Sequence, residues 1–191
     1  MVFLFNFHCA DGNGESQRWS VIYRIAVGIA RGLDHLHTGL QKPIIHGNLK
    51  SKNILLGRNQ QPYVSDFGLH LLLNPSAAQE MVEDAAVEGY KPPEMVRTND
   101  ISVETDIFNF GVILFELLTG KEPMNNEKAD PDQDFLSNAI LDHRISDFYH
   151  PDSPVDEEKI LKLSQLAMVC CSPSPSLRPT IKHICKKLQE I

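Results

Sequence analysis

The chain has no excess of basic residues. Lys and Arg number 18 against 25 Asp and Glu, giving a formal net charge of −7 and a pI near 5.6. Nonspecific nucleic-acid binding needs basic surface, so that class of function is excluded. No run approaches about 18 apolar residues, so nothing reads as a membrane-inserted helix. The apolar start, Met1–Phe7, is short, has no basic flank and is soon followed by Asp11 and Glu15. It is a poor signal peptide and reads as a buried edge strand. The four cysteines, Cys9, Cys170, Cys171 and Cys185, contain no C-x-x-C pair. They read as reduced thiols in a reducing, cytoplasmic compartment. There is no internal repeat and no low-complexity tract. Zinc is not expected either: His35 and His37 diverge at i, i+2 on a helix, and no other ligand cluster supports them.

What is present fits one globular domain. At 191 residues and 42% hydrophobic, the chain is long enough to bury a core. Residues 11–18 read as a polar loop, and Ser20 opens a helix to about His37, with Ile22, Ile25, Ile29, Leu33 and Leu36 on one face. Ile44-Ile45, Ile54–Leu56 and Tyr63-Val64 read as short strands. Residues 69–91 show little regular pattern and read as a mobile acidic segment. Ile107 to Thr119 is nearly all apolar, which predicts a buried helix stopped by Gly120. Residues 121–134 read as a charged loop, with a short helix near 135–141, a helix from about Glu157 to Cys170, and a last helix from Thr180.

The chemistry lies in the loops. Ile44-Ile45-His46-Gly47-Asn48-Leu49-Lys50-Ser51-Lys52-Asn53 precedes the apolar Ile54–Leu56; Asp66-Phe67-Gly68 and then Pro92-Pro93-Glu94 follow. In this order they resemble the catalytic loop, metal-binding triplet and activation-segment end of protein kinases. Thr105-Asp106-Ile107-Phe108-Asn109-Phe110-Gly111 is similar to the start of the family's central helix, and Leu177-Arg178-Pro179 to the Arg-Pro before its last helix. Ala30–His37, His46–Asn53 and Leu117–Lys121 resemble plant receptor-like kinases, leucine-rich-repeat types above all. The resemblance implies a mainly α fold, the large C-terminal lobe of a kinase with a few short strands around the catalytic loop. It divides the domain, 1–191, into a hinge end (1–10), a first helix (20–37), catalytic and metal-binding loops (44–68), an activation segment (69–94) and a helical subdomain (105–191). No Gly-rich loop or Val-Ala-Ile-Lys strand of the smaller, ATP-binding lobe appears. Gly12-Asn13-Gly14 lacks the third glycine and such a strand, so the small lobe is expected to be absent.

Where the family has its catalytic Asp, this chain has Asn48. A carboxylate can accept the substrate hydroxyl's proton; a carboxamide has no basic site for it. Gly47 stands where the family's Arg pairs with a phosphorylated residue, so that switch is unavailable. Ala86-Val87-Glu88-Gly89-Tyr90 replaces the Gly-Thr-x-Gly-Tyr pattern, and Val87 lacks the hydroxyl that hydrogen-bonds the catalytic Asp and Lys in active relatives. Lys50 matches the lysine that steadies the transferred phosphate, though alone it is equally an ordinary solvated lysine. Asn53 and Asp66 match the two Mg²⁺ positions, with loop bracing as the plainer role. Leu55 is placed like the residue under the adenine ring and would serve equally as core. Among scaffold positions, Glu94 and Arg178 match a buried ion pair, Asp106 the aspartate that holds the catalytic-loop backbone, and His46 and Phe67 the lower part of the packed column between lobes. Trp19 and Arg24 match a Trp-x-x-x-x-Arg packing feature of receptor-like kinases.

The resemblance therefore implies a receptor-like kinase homologue with its chemistry removed, a pseudokinase lobe acting in signalling through contacts with other proteins such as a receptor kinase. The family uses ATP and Mg²⁺; none is expected for this chain. The family is usually anchored at the plasma membrane with this domain in the cytoplasm. Two alternatives stand beside this reading. One is a Ser/Thr kinase fragment that binds ATP and transfers phosphate weakly when a small lobe is present. The other is an incomplete gene product, with Met1 falling inside the hinge strand.

Overall fold

The structure, a computed structural model, describes residues 2–4, 15–87, 90, 92–95, 101–120 and 154–191. Helix α1, Glu15–Thr38, buries the predicted face of Ile22, Ile25, Ile29, Leu33 and Leu36. It starts at Glu15 rather than Ser20, so residues 15–18 belong to the helix and not to a loop. Trp19 explains the extension. It is buried and stacks on Tyr23 one turn later, with ring centroids 6.1 Å apart, which carries the apolar face back toward the N-terminus. Glu15 also suits the positive end of the helix dipole.

Ile44-Ile45 is not a strand. Ile44 N–H donates to Leu36 O at 2.9 Å and the amide of His46 goes to Asp106, so this stretch shares no ladder with a neighbour. The strands are β1 (Val2–Phe3), β2 (Ile54–Leu56) and β3 (Pro62–Val64), antiparallel in the order β1-β2-β3. Val2 lies opposite Leu56 and Ile54 opposite Val64. The two-residue period turns Ile54 and Leu56 into the core and Leu55 to the other face. The sheet rests on α1 at Gly28, where a Cβ would lie 2.3 Å from Pro62 Cγ. Arg24 reaches from α1 to the β2–β3 turn and donates to Asn59 O at 2.9 Å.

Helix α2, Pro75–Val87, corrects the reading of this stretch as lacking regular structure. Asn74 Oδ1 accepts from Ala77 N–H at 2.9 Å, Pro75 takes the first helical position, and Gln79 bonds Glu83 one turn on at 2.8 Å. A cap, an N-terminal proline and four alanines outweigh the weak apolar pattern.

Helix α3, Val103–Thr119, is the central element, buried from Thr105 through Leu118. Ser102 and Thr105 form a reciprocal cap at its start, and Gly120 closes it at φ 68. Helix α4, Pro154–Cys170, lies along α3 and begins earlier than Glu157. The two helices meet at Gly111, where a Cβ would be 2.5 Å from Cys171 Sγ and 2.9 Å from Ala167 O. Any side chain there would separate them. Helix α5, Ile181–Gln189, is capped by Thr180 and turns Ile184 and Leu188 into the core against α1, where Tyr23 Oη donates to Leu188 O at 2.7 Å. Cys170 and Cys171 are buried free thiols and Cys185 is half-buried. Burial pushes the Cys170 thiol far up, so it is unreactive at neutral pH. The loop read at 121–134, the helix near 135–141, residues 5–14 and Cys9 lie outside the described residues. The class is mainly α with a few short strands. No helix among the described residues is long and apolar enough to cross a membrane.

Candidate active site

The first turn of α3 organises the site. Asp106 is 0% exposed. Its Oδ2 accepts from His46 N–H at 2.8 Å and its Oδ1 from Gly47 N–H at 2.9 Å. His37 Nε2, from the end of α1, lies 2.8 Å from Oδ2. One buried carboxylate thus fixes the backbone of two successive loop residues and ties it to two helices. Sequence reasoning considered His37 only as a diverging metal ligand; its partner is Asp106.

Gly47 holds the next bend at φ 78, a left-handed conformation that favours glycine. A Cβ there would lie 2.5 Å from His70 Nδ1 and 3.1 Å from Ile101 Cγ2. The arginine that the family carries at this point fits only if His70 moves and the backbone accepts strain.

His46 is fully buried, and its carbonyl accepts from Gly68 N–H at 3.0 Å, joining the catalytic loop to the Asp66-Phe67-Gly68 turn. Its Nδ1 accepts from Asn48 N–H at 3.3 Å, which places the neutral ring's proton on Nε2. Burial lowers the His46 pKa below 6.5, although nearby Asp106 pulls the other way. The unfolded chain therefore binds the proton first as pH falls. Stability from this group is complete above about pH 6.5 and is lost as pH drops through the window beneath it, with a slope of up to about 1.4 kcal/mol per pH unit. Urea unfolding at a series of pH values should show that decline, and His46→Phe should flatten it.

Asn48 is half-buried. Its backbone carbonyl accepts from Asn53 Nδ2 at 2.8 Å, and its side-chain Oδ1 is buried with no hydrogen-bond partner among the described residues. Asn53 O in turn accepts from Ser65 N–H at 2.9 Å and from Ser65 Oγ at 3.0 Å, and Ser65 Oγ contacts Asp66 Oδ2 at 3.0 Å. Ser65 was not singled out from sequence, yet it joins the two candidate metal positions. Asp66 is exposed at φ 59. With Asn53 it offers oxygen donors of the kind Mg²⁺ requires, and the remaining ligands would have to come from a nucleotide's phosphates and water. Lys50 is half-buried and opens the 3₁₀ turn Ser51–Asn53. Leu55 is half-buried, on the side of β2 away from the core, so it is not a core residue.

Phe67 departs from the packed-column expectation. It is 46% exposed, whereas His46 is enclosed. Positive φ angles at Asp66 and Gly68, on either side, turn its ring outward.

Away from the loop, Arg178 grips Glu94 with two parallel hydrogen bonds of 2.5 and 2.7 Å. It also donates to Ser172 O at 2.9 Å and Glu104 O at 3.0 Å, and its guanidinium lies 5.0 Å from the Phe108 ring centroid. Tyr90 is buried; its hydroxyl donates to Glu116 Oε1 on α3 and accepts from Ser51 N–H at 3.2 Å. Burial first, then the Glu116 charge, raises the Tyr90 pKa well above 10, so the phenol stays a donor. Glu116 carries no sequence motif that would have marked it, and Ser51 sits in the catalytic-loop stretch at a position where the motif specifies no residue.

Known proteins resemble this chain in sequence and fold. The protein kinase domain model matches residues 10–188. The kinase-like protein TMKL1 of Arabidopsis thaliana is 35% identical over 183 residues, covering 90% of this chain and 27% of that protein. The chain spans between about a fifth and about a half of the length of curated relatives of this kind. The kinase domain of maize SIRK1, a sucrose-induced receptor kinase solved with AMP-PNP, superposes with a TM-score of 0.77 at 29% identity, over 99% of this chain and 65% of that one. The pseudokinase domain of BIR2, an immune regulator of the RLK/Pelle family, superposes with a TM-score of 0.73 at 28% identity, over 92% of this chain and 54% of that one. The chain belongs to the protein kinase domain family, and the relatives it resembles there are plant receptor-like kinases.

Proposed function

We propose that this chain is a catalytically inactive, kinase-fold module of the receptor-like type, which works in signalling by contacting other proteins, a receptor kinase among them. The observation that carries this reading is Asn48. It stands at the base position, braced by Asn53 and His46, with an amide where the proton must be accepted. Loss of a general base costs about 10²–10⁴-fold by itself. Gly47 and Val87 remove the phosphate-sensing arginine and the threonine of the same network, so the change is not confined to one side chain. BIR2, a pseudokinase of similar fold and an immune regulator, supports this reading. The module is placed in the cytoplasm, beside the membrane that anchors the family's receptors, and needs no nucleic acid and no cofactor.

A second reading has one observation in its favour. Asp66 and Asn53 are held together through Ser65, and SIRK1 was solved with a nucleotide analogue. If a small lobe completes the site, that pair would hold Mg²⁺, which neutralises phosphate charge when bound, and slow Ser/Thr transfer would follow. A thermal-shift titration with Mg·ATP separates the two readings, since any ligand that binds the native state raises its stability. The proposal expects an unchanged midpoint; a rise that saturates with nucleotide and disappears in Asp66→Ala would favour the second reading.

A further inference from the structure

We propose that the groove between α4 and α5 receives helix α2 of a second copy of this chain. The groove encloses about 360 Å³. Leu166, Val169 and Ile191 give its lining an apolar part, and Lys162, His183 and Lys187 line it too, with Glu190 as the one acid. Val169 is 50% exposed, an apolar side chain left open beside three basic ones.

Charge separates this segment of the sequence from the rest. Residues 154–191 contain six Lys and Arg and four Asp and Glu, a balance of +2, so residues 1–153 carry −9 of the total −7. Among the described residues the most suitable acidic element is α2. None of its described residues is buried, and Glu80, Glu83 and Asp84 form an exposed acidic face. Ala77 and Met81, one turn apart and half-buried, supply a narrow apolar stripe beside it. A helix of 13 residues draws little stability from its own backbone in water, so a surface that packs against its apolar stripe would stabilise it. An apolar stripe beside acids matches an apolar lining beside bases. The groove's lysines already pair with Glu158 at 2.7 Å and Glu190 at 2.8 Å, but all four side chains are exposed and such pairs exchange partners at little cost.

The two surfaces differ, so the contact is head-to-tail and extends beyond a dimer unless its rotation closes. It rests on surface chemistry and stands whether or not Asn48 abolishes phosphoryl transfer.

Sedimentation velocity of the full chain tests the proposal. The sedimentation coefficient should rise with concentration at low salt, and the rise should be lost near 1 M salt, where the screening length is about 3 Å. The triple variant Glu80→Lys, Glu83→Lys, Asp84→Lys should associate at least about tenfold more weakly, and so should Lys162→Glu, Lys187→Glu. Circular dichroism melts identify folded variants, and the two sets of substitutions lie on separate elements. Mixing the two variants pairs a basic α2 with an acidic groove and should restore a heterodimer. A monomer at every concentration, association indifferent to both reversals, or failure of the mixture to associate would each overturn the proposal.

Discussion

Replacing Asp106 with Ala should lower the unfolding free energy by about 3–5 kcal/mol, as measured by urea denaturation. The carboxylate is fully buried and serves His46 N–H, Gly47 N–H and His37 Nε2 together. Removing it leaves three donors or acceptors without a partner in a dry site, and each such orphan costs about 1–3 kcal/mol, with less than full additivity. Asp106→Asn keeps one acceptor oxygen and should cost roughly half as much. The effect belongs to the fold and not to catalysis: this aspartate holds the loop in shape even though Asn48 in that loop has no basic side chain. A loss below about 1 kcal/mol in Asp106→Ala would mean that the clamp does not stabilise the loop.

The second large effect is expected at Arg178. Arg178→Ala removes a bidentate partner from Glu94, a cap from Ser172 O and Glu104 O, and a cation from the Phe108 face. Breaking a buried ion pair on one side costs about 3–5 kcal/mol, because the remaining charge stays desolvated. Glu94 retains some solvent contact, its side chain being 21% exposed, so the lower end of that range applies. A double-mutant cycle with Glu94→Gln should show strong coupling: the pair of changes together should cost less than the sum of the two singles. Purely additive losses would show that the two side chains do not act as a unit.

Much of this was legible in the sequence because short motifs in fixed order specify a fold more tightly than any propensity does. The periodic apolar face of α1, the nearly all-apolar stretch 107–119 of α3 and the last helix from Thr180 followed from spacing and composition. The misses have physical causes. The helix at 75–87 was overlooked because it has almost no apolar period; its cap, its proline and its alanines were readable in Asn74-Pro75-Ser76-Ala77-Ala78 but were given no weight. Ile44-Ile45 has strand composition, yet a strand needs a neighbour; the Ile44 amide is committed to Leu36 O on α1, and the amide of His46 that follows goes to Asp106. The outward turn of Phe67 depends on two positive φ angles that no residue pattern announced, since one of them belongs to Asp66. The roles of Ser65 and His37 depend on contacts to residues distant in the chain, Asn53 and Asp106, which a single sequence cannot display.

An amide at position 48 should leave this fold without phosphoryl transfer. The most direct measurement is the initial rate of transfer of the γ-phosphoryl group from labelled ATP, with Mg²⁺ or Mn²⁺, to the chain itself and to a peptide substrate, run beside the Asp66→Ala variant. The account predicts equal, background rates for both proteins. A turnover of about 1–100 s⁻¹, as in working kinases, that vanishes in Asp66→Ala would contradict it.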